Sequence, residues 1–165
     1  MKKRMIITAL SVLSVMGFLA VTGDDKSTEI AMLQENIAML KKNIYKLKEN
    51  IDKLKDSCEM DAVKESIKAV KESIKAVKAV ESSVKTVRDK RIALRVDFIH
   101  VANADIRDVR KILEGLGKVV FEVGQKISGS EETRKQEDSR EIYAQLKEIY
   151  KQLKEMDSLL MHIII

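Results

Sequence analysis

The side chains of this 165-residue chain that could carry chemistry are few and far apart. Its only histidines are His100 and His162, and its only cysteine is Cys58. A zinc site needs about four Cys or His ligands at short spacings, and a calcium loop needs clustered acidic oxygens around a glycine. Neither pattern occurs. The run GLGKVVFEVG, 115–124, has the glycines of a phosphate loop, but it lacks the Lys-Ser/Thr that would follow them and a strand that would precede them. Carboxylates are plentiful, yet helical spacing scatters them over solvated faces, so no pair separates into an acid and a base. YAQL at 143–146 and YKQL at 150–153 look like tyrosine signals. Their seven-residue offset instead follows from a duplicated helical unit. The sequence therefore implies no catalytic, cofactor-binding or metal-ligating residue, and a protein that is not an enzyme. Cys58 has no intrachain partner; it reads either as a small buried or half-exposed residue at a helix junction or, in an oxidising compartment, as a link between two chains.

The elements that hold these residues must be helices. The chain has no proline, which would break helix interiors. It has three Tyr, three Phe and no Trp, so a core must come from aliphatic side chains. Charged residues at 35% complete the composition of long amphipathic helices. The reading is all-α: long amphipathic heptad helices forming a coiled coil or an elongated helical bundle.

Residues 35–55 read ENIAMLK, KNIYKLK, ENIDKLK. Ile30, Ile37, Ile44 and Ile51 recur at one position, and Leu33, Leu40, Leu47 and Leu54 three residues later. That 3–4 spacing keeps both sets on one helix face. Isoleucine at a with leucine at d favours a parallel two-stranded coiled coil. These eight residues form the expected interaction seam of a helix over 28–57, with Ser27 as its N-cap. A second copy paired along it would bring Cys58 near its equivalent.

Asp61 cannot sit cheaply on the continued seam, so a turn or hinge is expected at 58–61. A heptad-repeat region follows at 62–127. It opens with VKESIKA stated twice from Val63 and a third copy cut short after VKA. Val63, Ile67, Val70, Ile74 and Val77 give its apolar stripe, and the step to Val80 reads as a stammer that overwinds the seam. Breaks are expected near 103–105, where Asn103 and Asp105 could cap a new helix, or at 115–117. Gly117 and Gly124 share a face, which suits close approach of another helix. The polar stretch 128–140 reads as a loop, and 141–162 as a final helix with its own copied unit, EIYAQLK then EIYKQLK.

The N-terminus supplies the address. Lys2, Lys3 and Arg4 precede nineteen uncharged residues, Met5 to Gly23, ending in small side chains. This is the form of a secretory signal peptide over 1–23, with a polar lead-in at 24–27. An uncleaved membrane anchor through 5–23 is the alternative, since a spanning helix needs about 20 residues. The MKKR start and the Lys/Ile-rich, proline-free body of 24–165 resemble the small helical outer-surface lipoproteins of spirochaetes. Members of that group bind host proteins or have no assigned role, and AVTGDD departs from them in lacking the lipid-accepting cysteine.

The functional expectation is an exported, non-catalytic helical interaction protein of the cell envelope, surface or periplasm. Its partner would be a second copy or another helical or surface protein. A membrane-anchored accessory protein of an envelope or lysis complex is the second reading. A cytosolic nucleic-acid scaffold is the third. Its support is the net charge of +5 and the Lys-rich face of 64–91. Against it stand the missing aromatic stacking platforms and the export signal.

Overall fold

A computed structural model describes residues 25–129, 137–163 and 165. The expected signal or anchor at 1–23, and 130–136 of the expected loop, lie outside them. The described residues form four helices: α1 (Asp25–Asp56), α2 (Met60–Asp89), α3 (Val96–Gly129) and α4 (Glu137–Met161). Among the described residues there is no strand, and the protein is all-α. No helix among them is long and apolar enough to cross a membrane.

The helix ends depart from the sequence expectations for identifiable reasons. The first helix takes in 25–27, so Ser27 lies inside it and is not its N-cap. The first turn is the short link 57–59, and Asp61 falls in the opening turn of α2. A carboxylate is favoured there by the exposed amides and the helix dipole. The last helix starts at Glu137 and α3 runs to Gly129, so the connection is shorter than 128–140.

The main correction concerns 62–127. This region is two helices, broken at 90–95, while 103–105 and 115–117 are helical throughout. The stop is a Schellman motif, the left-handed turn that closes many helices. The Ile92 amide donates to the Val87 carbonyl and the Arg91 amide to the Arg88 carbonyl, both at 3.0 Å. Buried Ile92 and Val87 supply the apolar contact that accompanies this cap. Arg91 holds the left-handed position at φ 52°, which is usually given to glycine. No glycine or proline marks the break, so pattern reading passes over it.

The helix pairs that touch are α1 with α2, α3 with α4, α1 with α3, and α2 with α4. The helices α2 and α3, though joined by 90–95, are not among them and face each other across the bundle diagonal. Two antiparallel hairpins result. In α1/α2, Asn36 meets Ser83 and Lys90 meets Glu29. In α3/α4, Arg110 meets Asp157 and Gly117 meets Tyr150. The ion pair between Lys41 and Asp105, 3.0 Å, fastens one hairpin to the other. At about 1.5 Å per residue the bundle is elongated, with the 34 residues of α3 spanning roughly 50 Å.

The core is aliphatic. Leu33, Leu40, Ile44, Leu47 and Ile51 of α1 are fully buried, each worth roughly 1.5–3 kcal/mol on removal from water. Opposite them α2 is not oriented as its isoleucines suggest. Its buried residues include Val63, Val70, Val77 and Val84, with Ser66, Ser73, Val80 and Val87 three further on. Ile67 and Ile74 are only partly buried, at the flank. Buried positions thus keep step through the truncated third copy, and there is no stammer. Serine serves as a core residue because its hydroxyl is satisfied locally. Ser66 donates to the Ala62 carbonyl at 2.9 Å and Ser73 to that of Ala69 at 2.8 Å. With Ala69 and Ala76 also buried, these small side chains leave room for the large stripe of α1.

Candidate interaction surface

Seven of the eight expected seam residues, Leu33 through Leu54, are buried, and Ile30 packs partly against the same core. Their neighbours are helices of their own chain. Within this chain the seam is therefore covered by the bundle's own helices. The polar positions of the same repeat face α2. The Asn36 amide donates to Ser83 Oγ at 2.6 Å and to the Ala79 carbonyl at 3.4 Å. Cys58 sits half-buried in the link between α1 and α2, and burial pushes its thiol pKa above the ordinary range. His100 and His162 are both exposed. Among the described residues no three His, Cys, Asp or Glu side chains gather to hold a metal ion.

The surface with a shape of its own lies over the contact between α3 and α4. That contact is a ladder in steps of seven. Asn103 exchanges hydrogen bonds with the backbone of Ile165 at 3.3 and 3.4 Å. Arg110 Nε donates to Asp157 Oδ1 at 2.9 Å. Then Gly117 lies under Tyr150, and Gly124 under Tyr143. The expected close approach at these glycines is thus made by tyrosine rings lying on bare backbone. The apolar C-terminus packs here too, with Ile163 buried.

Beyond the Arg110–Asp157 pair the ladder opens outward into two adjoining cavities. One, about 370 Å³, is walled by Leu113, Leu153, Gly117, Phe121 and Tyr150. The other, about 200 Å³, reaches past Gly124 to Tyr143 and Leu146. Phe121 and Tyr150 line both, and Phe121 stands between them, 55% exposed, its ring centroid 6.2 Å from that of Tyr150. Lys147 and Lys154 lie over the Tyr143 and Tyr150 rings at 4.6 and 4.8 Å, a cation–π arrangement that fixes the rings. The result is an open apolar groove with a cationic rim on the α4 side.

The glycines are informative here because the bundle does not demand them. A Cβ added at Gly117 would meet Tyr150 at 3.7 Å, and one at Gly124 would meet Tyr143 at 3.6 Å, both ordinary contacts. Each glycine costs the helix about 1 kcal/mol relative to alanine. What alanine would change is the floor of the groove. Sequence reasoning assigned the two glycines to a close approach, read both tyrosines only as parts of a copied helical unit, and missed Phe121. No spacing in the sequence marks it, because its exposure depends on where α4 lies. No protein-family model, curated protein or solved structure matches the chain.

Proposed function

We propose that this protein is an exported, non-catalytic helical interaction protein of the cell envelope or surface, which receives an apolar side chain or helix of a protein partner along the α3/α4 groove. The observation that carries this reading is the groove floor. Gly117 and Gly124 weaken α3 at positions where alanine would fit, and the exposed Phe121 ring stands between the hollows they keep open. Exposed aromatic side chains beside apolar pockets are the usual anchors of protein interfaces. The stripe of Ile30 to Leu54 acts inside this bundle as a coiled-coil seam within one chain.

Two measurements test the reading. In the first, mass and fractionation locate the chain. A start near Asp24 in the envelope or extracellular fraction fits export, and intact Met1 in the membrane fraction selects the anchored accessory protein. Intact Met1 in the soluble cytosolic fraction refutes both. In the second, a photoreactive phenylalanine analogue replaces Phe121 in cells. A discrete protein adduct is expected, and its absence from folded, correctly localised protein refutes the groove.

A further inference from the structure

The link 90–95 reads KRIALR, six residues with no helix breaker among them. Lysine, arginine, alanine and leucine are strong helix formers, and isoleucine is an acceptable one. They are nonetheless held out of helix, with Arg91 at φ 52°, a conformation that costs a side-chain-bearing residue free energy. The same link is the covalent connection between the two hairpins, which otherwise meet only through side-by-side packing of α1 on α3 and of α2 on α4. Straightened, it would make α2 and α3 one helix over 60–129, whose sequence contains no proline and no glycine before Gly115. A second observation lies at the same end of the bundle. Met32, Val96, Val101 and Met161, on the turns of α1, α3 and α4 nearest the link, are each at least half exposed. Elsewhere among the described residues the large apolar side chains exposed to a similar degree are Met39, Tyr45 and Phe121.

We infer that two copies of this chain exchange hairpins. In the exchanged dimer the link is helical, α1/α2 of each copy packs on α3/α4 of the other, and the apolar side chains at the link end meet across the two-fold junction. Every contact between hairpins is preserved but becomes intermolecular, so the bundle itself changes little. Exchange removes the strain at Arg91 in both copies and covers surface that the closed monomer leaves in water. Opposing it are the burial of Ile92 and the partial burial of Leu94 in the closed form, so concentration decides which form prevails. This inference stands apart from the groove, which both forms retain.

The test uses the full chain in mild detergent, with Cys58→Ser to remove the native thiol. Lys41→Cys with Asp105→Cys places a reporter pair across the contact between hairpins, to be joined by a short bismaleimide. Asn36→Cys with Ser83→Cys does the same within one hairpin. After refolding at high micromolar concentration, the first pair should give a covalent dimer and the second only an internally linked monomer. Dilution before refolding should return the first pair to monomer. Arg91→Gly relieves the closed link and weakens the helical one in both copies, so it should lower the dimerisation constant roughly tenfold or more. If the first pair links only within a chain at every concentration, in protein that is fully helical by circular dichroism, hairpin exchange is wrong. A dimer fraction left unchanged by Arg91→Gly would overturn it equally.

Discussion

Replacing Gly117 and Gly124 by alanine should stabilise the protein. The magnitude has two parts. Helix propensity, together with the lost freedom of the unfolded backbone, contributes about 0.5–1 kcal/mol per site in favour of alanine. Packing adds almost no penalty, because the new methyl groups would stand 3.7 and 3.6 Å from the tyrosine rings, in ordinary contact. The sites are two turns apart, about 10 Å, and touch different tyrosines, so the gains should add to about 1–2 kcal/mol. For a chain of this size each kcal/mol corresponds to about 2–4 °C in Tm. Urea unfolding should show a higher midpoint with an unchanged slope. Gly115→Ala is the control, since nothing lies within 4 Å of its added Cβ. It should gain a similar amount without touching the groove floor. The cross-link yield from position 121 should then fall with the first two substitutions and not with the third. If the double variant is less stable than wild type while Gly115→Ala is more stable, the glycines are steric requirements of the α3/α4 contact. The groove would then have no claim on them.

Three further outcomes are expected. Leu47→Ala empties a fully buried site between helices and should cost about 3–5 kcal/mol by urea unfolding. Ser73→Ile forces a branched side chain into a fully buried serine site and should cost about 1–3 kcal/mol, whereas an isoleucine-centred seam on α2 would accept it without loss. Cys58 has a thiol pKa raised by burial, so the unfolded chain ionises first as pH rises. The contribution of Cys58 to stability is therefore complete below the ordinary thiol pKa and is lost as pH climbs through the raised one. Cys58→Ser should flatten that alkaline decline, and alkylation of native Cys58 at mildly alkaline pH should be slower than in urea.

The all-helical architecture and the α1 stripe were legible because Ile and Leu at alternating steps of three and four admit one orientation. The orientation of α2 was not, because hydrophobicity ranks Ile67 above Ser66. What decided it was the need for small side chains opposite the crowded face of α1, together with a hydroxyl that satisfies itself on the preceding turn. The stop at 90–95 was hidden for a related reason. A left-handed cap is recognised in sequence by glycine, and here Arg91 takes that conformation while Val87 and Ile92 close over it. At the groove, the two glycines pointed to close approach, but nothing in their spacing says which helix approaches. Periodicity orders residues around one helix and is silent on which helices become neighbours and which lie across a diagonal. Phe121 was missed accordingly, since its exposure depends on where α4 lies.

Two mating helices that both repeat every seven residues raise a problem of translational degeneracy. Over 35–55 of α1 and 63–76 of α2 the facing surfaces reproduce themselves after one unit, so sliding by about 10 Å leaves that stretch almost unchanged. The irregular end of α2 acts as a stop, much as the last mark on a vernier fixes a reading. A slip in one direction sets Ala76 in place of Ser83 and deprives the Asn36 amide of its 2.6 Å partner, at a cost of about 1 kcal/mol. A slip in the other direction drives Val80 into the place of Ser73, beside the backbone of Asn43. Breaking off the third copy after VKA thus raises the free energy of both slipped pairings and leaves a self-copying helix with a single register.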